Sequence, residues 1–277
     1  MASNLPNLFA WTGASSGASG LLSIAYRVSG QGPGIPRQNP VTALSAAEKN
    51  QTKQVAATAS QPQVARTVAT FRQAVSSAKS VSDLLSNSTA MRVLLTANGL
   101  GDQLAYAALA RRALTSDTTD PKSLANTLSD TRWKSVAQTY DFAHRGLSVI
   151  QNPKILDTIS AAYAEITWRQ SLDAVTPGLS DALAFRQEAS SITSVDQVLG
   201  NPVLRRVVTT TLGLPLQIAF QPLEAQERAI SSRLDISKFS KPNFVESFAQ
   251  RYLIAVATSS SIVDVSQANS GVRGILV

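Results

Sequence analysis

Residues 71–100 read FRQAVSSAKSVSDLLSNSTAMRVLLTANGL, and residues 185–214 read FRQEASSITSVDQVLGNPVLRRVVTTTLGL. At a constant offset of 114 residues the two passages align without a gap and share 14 of 30 positions, among them Phe71/Phe185, Ser80/Ser194, Asn87/Asn201, Arg92/Arg206 and Gly99/Gly213. A passage repeated without insertion carries the same local instructions twice, so each copy is expected to build the same structural unit.

Those instructions are helical. Val64, Val68, Phe71, Val75 and Ala78 recur at spacings of four, three, four and three, which lines them along one helix face. Ser80 with Asp83, and Ser194 with Gln197, have the spacing of a capping box, in which the hydroxyl accepts from an orphan amide and the third residue reaches back. Asn87 and Asn201 are placed to cap the next helix, with Pro202 suited to its first turn. Gly99 and Gly213 supply the left-handed residue that stops it, and Pro215 follows the second. Each copy therefore reads as helix, short helix, helix, stop.

Asn-Pro recurs as a helix opener at Asn39-Pro40, Asn152-Pro153 and Asn201-Pro202, with Asp120-Pro121 as its chemical cousin. Further helices are expected over 102–112, 121–128 and 132–142. A long helix is expected from Pro153 to about Ala174, ended by Pro177 and Gly178. AQTY at 137–140 is echoed by AQRY at 249–252, at an offset of 112. VVTTTLGL at 207–214 is rich in β-branched residues and carries the weakest helical signal. The expected fold is all-α, with two homologous units of short capped helices joined by a long connector helix and preceded by a disordered N-terminal segment. Its expected divisions are a flexible segment at 1–38, a first unit at 39–150, a connector at 151–184, a second unit at 185–258 and a C-terminal tail at 259–277.

Composition narrows the chemistry. Of 277 residues 44% are apolar, but only 6% are aromatic and 16% charged, so the core must be aliphatic and Ala-rich and much of the surface Ser, Thr, Asn and Gln. The chain has no Cys, which rules out disulfides and zinc ribbons, and a single His, which removes multi-histidine metal sites. Net charge is +7, yet it is spread along the chain: nine basic against six acidic residues over 71–150, two against four over 151–184. A nucleic-acid binder gathers Lys and Arg on a stripe with stacking aromatics between them, and this chain does not.

The first 26 residues carry no charged side chain. They lack the basic start of a secretory signal, and Asn4, Pro6, Asn7, Gly13, Ser15 and Ser16 interrupt them too often for a membrane span of about 20 apolar residues. GASSGASG is followed by no Gly-Lys-Ser/Thr, so it is read as a small-residue segment and not as a phosphate loop. A short apolar helix is expected near Leu21–Tyr26.

Candidate catalytic groups are few. His144 follows Asp141 by three residues, close enough to hydrogen-bond on a helix, but no nucleophile motif accompanies them. Asp157, Glu165 and Asp173 recur at spacings of eight along the connector, about two turns, and read as a solvated acidic ridge or a docking face for a basic partner. Trp133 and Trp168 are expected in the core, while Trp11, in the front segment, is the aromatic placed to meet a partner. No residue is assigned a catalytic, cofactor-binding or metal-ligating role, and no enzyme, no cofactor and no small-molecule substrate is expected.

One stretch carries a resemblance. Residues 113–142, ALTSDTTDPKSLANTLSDTRWKSVAQTYDF, resemble the signature of an alphaproteobacterial domain-of-unknown-function family, number 1217, whose genes commonly lie beside flagellar genes. Asp117, Asp120, Pro121, Ser123, Ala125, Asn126, Trp133 and Tyr140 stand at matching positions, and residues 40–255 look like one or two copies of that domain. The second copy lacks any D-P-x-S-x-A-N run between Ile230 and Phe244. The resemblance implies a flagellar association and names no catalytic residue. Together with the front segment and the missing Cys it leads to an expected non-enzymatic, exported flagellar structural or accessory protein, located at the flagellum or cell exterior, that binds flagellar subunits or itself. The alternative is a cytoplasmic flagellar chaperone or regulator.

Overall fold

A computed structural model describes the backbone of residues 39–272 and the side chains of residues 39–259. The front segment with Trp11 and the expected helix near Leu21–Tyr26, and most of the C-terminal tail, lie outside the residues so described. Every element among the described residues is helical, and none is a strand. The fold is all-α.

The first half comprises α1 (Pro40–Ala59), α2 (Pro62–Ser77), α3 (Val81–Ser86) and α4 (Ser88–Ala97), a 3-10 turn (Gly101–Tyr106), then α5 (Ala107–Leu114), α6 (Leu124–Thr127), α7 (Arg132–Tyr140) and α8 (Phe142–Arg145). The long α9 (Pro153–Asp173) follows. The second half has α10 (Leu179–Glu188), α11 (Val195–Leu199) and α12 (Pro202–Thr211), a 3-10 turn (Leu216–Phe220), α13 (Leu223–Ser231), another 3-10 turn (Ile236–Ser240) and α14 (Pro242–Val272).

The repeated passages produce repeated local structure. Ser80 and Ser194 cap α3 and α11, and only the second completes the capping box. Asp83 is one methylene shorter than Gln197, and its carboxylate accepts from the amide of Lys79 (3.1 Å). Asn87 and Asn201 each accept from the amides two and three residues on. At the other end of these helices Gly99 and Gly213 adopt φ of 71° and 62°. The next amides, Leu100 and Leu214, reach back to the carbonyls of Leu95 (2.7 Å) and Thr209 (2.9 Å). This is a Schellman stop, and a Cβ at either glycine would meet nothing within 4 Å, so the left-handed backbone alone demands glycine there.

Several expected elements are shorter or differently built. Residues 101–106 form a 3-10 turn ahead of α5, in place of one helix over 102–112. Pro121 sits in a turn and α6 begins only at Leu124, because Asp120 accepts from the amide of Lys122 (2.9 Å) and so caps a turn, not a helix. The helix expected over 132–142 ends at Tyr140, where Asp141 takes a left-handed φ of 44°. The β-branched 207–211 segment is nonetheless helical, since Val207 and Val208 are fully buried there.

Two apolar cores result, and the long helices cross between them. The first gathers Phe71, Val75, Leu84, Leu94 and Trp133, and is completed by Ile159, Tyr163 and Ala164 of α9. The second gathers Phe185, Val207, Phe239, Phe248 and Tyr252, and is completed by Ala43, Leu44 and Ala47 of α1. The two Asn-Pro-opened helices thus tie the cores together: α1 completes the second, while α9 completes the first and also sends Trp168 into the second. Arg72 and Arg186, equivalent in the repeat, mark the exchange: Arg72 pairs with Asp157 on α9 (2.6 Å), Arg186 with Glu48 on α1 (2.8 Å). Where α1 and α9 meet, Gln51 donates to Glu165 (2.9 Å). Arg72–Asp157 is largely exposed and Arg186–Glu48 partly so; such pairs are worth about 0–1 kcal/mol, so burial of the apolar faces, about 1.5–3 kcal/mol per large side chain, decides the arrangement.

Candidate functional site

The residues that carry the family resemblance build a loop. Asn126 donates to the carbonyls of Thr118 (3.0 Å) and Asp120 (2.8 Å), and Asp117 accepts from the amide (2.8 Å) and hydroxyl (2.6 Å) of Thr119. Ser116 accepts from the amide of Ala125 (3.2 Å), whose side chain is buried with that of Trp133. The D-P-x-S-x-A-N run therefore folds its own segment against α7.

His144 sits beside this loop on the surface. Its Nδ1 lies 2.7 Å from Asp141, and its Nε2 lies 3.5 Å from Asp117. The hydrogen bond to Asp141, then the charge of Asp117, raise the pKa of the imidazole, while the hydroxyl and amide of Thr119 lower that of Asp117. The expected His144–Asp141 contact is present; His144 is exposed and the two carboxylates are half-buried.

Asp157, Glu165 and Asp173 form no acidic ridge. Asp157 pairs with Arg72, Glu165 with Arg169, and Asp173 accepts from both the amide and the hydroxyl of Ser180. Eight-residue spacing set them along one helix, but each faces a different neighbour. Trp133 and Trp168 are buried, one in each core.

A cleft of about 1060 Å³ opens where the halves meet. One wall comes from the end of α4, the following turn and α7, the other from α9, α10 and α12, with Tyr252 of α14 at one side. The walls touch at a seam where Thr131 donates its amide (2.9 Å) and hydroxyl (3.2 Å) to the carbonyl of Gly200. A Cβ at Gly200 would lie 2.6 Å from the Thr131 methyl, so the approach requires glycine.

The cleft is strongly charged. Arg132, which also donates to the carbonyl of Gly99, pairs with Asp130 (2.7 Å) and Asp102 (3.0 Å). Burial raises the pKa of Asp102, but hydrogen bonds from Arg132 and Gln103 more than offset it and hold that carboxylate below its ordinary range. On the other wall Arg206 grips Asp181 (2.5 and 2.8 Å), which also accepts from the hydroxyl of Tyr252 (2.9 Å). Its own hydrogen bonds to Asp181 hold the Arg206 guanidinium charged, and burial beside Asp181 pushes the Tyr252 phenol far up. Arg169, with its side chain only 6% exposed, donates to Glu165 and to Gln187 (2.6 Å). Its Nε is buried with no hydrogen-bond partner. Burial raises the carboxyl pKa of both Asp173 and Glu188.

These cleft residues come from six separate stretches, which is why no motif announced them. Only their unequal distribution between the copies was visible: Glu188 stands opposite Ala74, and Gly200 opposite Ser86.

A second feature is apolar. Leu216 and Phe220 on the 3-10 turn are 86% and 89% exposed, and Leu223 beside them is 52% exposed. Ile218 between them packs on the second core and holds the turn in place. At the 114-residue offset the matching turn of the first half exposes Tyr106 to 61%. No described helix is long and apolar enough to cross a membrane.

Comparison with known proteins adds the relationship. The chain is similar to the crystal structure of protein AGR_C_984 from Agrobacterium tumefaciens, with 25% sequence identity, a TM-score of 0.67, and coverage of 82% of this chain and 97% of that one. No curated protein sequence matches. A family described as "Protein of unknown function (DUF1217)" matches residues 97–245, a span that holds the D-P-x-S-x-A-N loop, both walls of the cleft and the whole second passage. That span is more than half of the chain, which therefore belongs to this family.

Proposed function

We propose that the chain is a non-enzymatic accessory or structural protein of the bacterial flagellum that binds other flagellar subunits and is exported. The observation that carries the binding role is the exposed cluster of Leu216, Phe220 and Leu223. Large apolar side chains so exposed and so close together are characteristic of protein-contact surfaces, and they sit on a turn anchored by a buried neighbour. The engagement of the cleft arginines Arg132, Arg169 and Arg206 in ion pairs supports a binding role over a catalytic one. The flagellar assignment rests on the family resemblance, and export on the composition of residues 1–38.

The test is co-purification with isolated flagella, comparing the full-length chain with its Leu216→Ser/Phe220→Ser variant. The wild type is expected to recover flagellar subunits and the variant, with unchanged circular dichroism, to lose them. Recovery of the same subunits by both would remove the patch from the account. A wild-type chain confined to the cytoplasm while still holding flagellar clients would replace the exported role with a chaperone's.

A further inference from the structure

The exposed turn at Leu216–Phe220 has a counterpart of matching shape and opposite charge. At the 114-residue offset Tyr106 stands where Phe220 stands, and the first turn presents Tyr106 and Leu104, 61% and 38% exposed. Each turn leads into a helix, α5 after the first and α13 after the second. α5 bears Arg111 and Arg112 and no carboxylate. Both arginines are exposed, and neither has a carboxylate within ion-pair distance among the described residues. Arg111 reaches back to the carbonyl of Ala107 (3.3 Å), which sets its guanidinium beside Tyr106.

α13 bears Glu224 and Glu227 against Arg228, and Asp196 of α11 stands against Glu227. None of these three carboxylates has a cation within ion-pair distance among the described residues. A hydrogen bond to Asp196, and then that residue's charge, raise the Glu227 pKa, as expected of crowded acids.

An apolar turn flanked by carboxylates is complemented by an apolar turn flanked by cations, and the same chain presents both. Because both turns are exposed within one chain, they do not meet there, and the contact needs a second copy. Seating either turn on its own kind would bring carboxylates against carboxylates or arginines against arginines, which like charges disfavour. Seating one kind on the other covers Leu216, Phe220 and Leu223 with Tyr106 and Leu104, while Arg111 and Arg112 meet Glu224 and Glu227.

We propose that copies of this chain associate head to tail, the Leu216–Phe220 turn of one copy on the Tyr106 turn of the next. This rests on the reading of the Leu216–Phe220 turn as a protein-contact surface and names its partner as the chain itself. The contact joins two different surfaces, so each added copy leaves one of each kind free, and assembly continues as an open chain or closes into a ring.

The experiment is sedimentation velocity of the purified full-length chain from about 1 µM to about 1 mM, the range of weak association. The wild type is expected to form species larger than a dimer as concentration rises. Tyr106→Ser alone and Phe220→Ser alone, with unchanged circular dichroism, should each stay monomeric. Their equimolar mixture should form a dimer that grows no further, because each variant keeps the turn that the other lacks. Arg111→Glu/Arg112→Glu should weaken assembly at least tenfold, and mixing it with Glu224→Lys/Glu227→Lys should restore it. A wild type that is monomeric throughout, one that stops at a dimer indifferent to Tyr106→Ser, or a mixture of the two serine variants that stays monomeric would each overturn the proposal. The co-purification with flagella separates this failure from that of the broader reading: loss of flagellar subunits by Leu216→Ser/Phe220→Ser would keep the turn as a contact surface for a different protein.

Discussion

Asn87 and Asn201 cap their helices alike, yet Asn201 also donates its amide to Glu188, where the first passage has Ala74. Arg92 is exposed, with no hydrogen bond or ion pair among the described residues; its equivalent Arg206 holds Asp181 on α10. Phe71 and Phe185 are both fully buried, but among the described residues only Phe185 meets other rings, Phe239 at 5.1 Å and Phe248 at 5.4 Å. What the passages share is scaffold: caps, stops and the central aromatic. Where they differ, the second passage has placed charged side chains on the cleft wall and built an aromatic cluster behind it.

The largest effect that could break this comparison lies in the cores. Phe185→Ala is expected to cost about 4 kcal/mol, within the range for Phe→Ala in a core. Phe71→Ala should cost less, by about 0.5–1.5 kcal/mol, because no ring pair is lost. Urea denaturation of the two variants measures the gap, and an equal or reversed order would show that the cores are packed equivalently after all.

The seam comes next. Gly200→Ala drives a methyl into Thr131 and should cost about 1–3 kcal/mol. Ser86→Ala, at the equivalent exposed position, should stay within about 0.5 kcal/mol. Adding Thr131→Ser, which removes the clashing methyl, should recover part of the loss; additivity of the two would mean that the clash is relieved elsewhere.

A smaller effect sharpens the comparison of caps. Ser88 occupies the first helical position that Pro202 occupies in the second copy. Ser88→Pro is therefore expected to stabilise the chain by about 0.4–1 kcal/mol through the unfolded state, seen as a raised melting temperature. A fall would mean that α4 and α12 begin with different backbone conformations.

Smallest is the electrostatics of His144, which has no counterpart in the second copy. Its pKa is raised above 6.5, so its protonated form is favoured by folding. That contribution is fully present below the unfolded pKa and is lost as pH rises through the folded value. An NMR titration should place the folded pKa above that of an unfolded peptide, and Asp141→Asn should lower it. No change in that variant would assign the shift to Asp117.

The sequence disclosed what depends on near neighbours. The Asn-Pro openers, the Ser194–Gln197 box and the two glycine stops are contained within a few residues, and each was legible. Asp120-Pro121 misled because the same cap chemistry also closes a turn, and only the packing of Ala125 and Asn126 decides between them. The exchange of α1 and α9 was not legible, since their apolar faces name no partner. Nor was the cleft, whose Glu188 and Arg169 acquire meaning only when α9 and α10 lie side by side. The exposed turn at 216–220 was invisible for a related reason: Leu216, Ile218 and Phe220 are all apolar, and only their burial tells the anchor from the presented side chains.

The interlocking of the two halves through α1 and α9 is tested most directly by expressing residues 39–150 alone and following urea unfolding by circular dichroism. That fragment lacks Ile159, Tyr163 and Ala164, so its core stays open. It is expected to show no cooperative transition by itself and to gain one when residues 151–272 are added. A sharp transition of the isolated fragment, unchanged by its complement, would contradict the account.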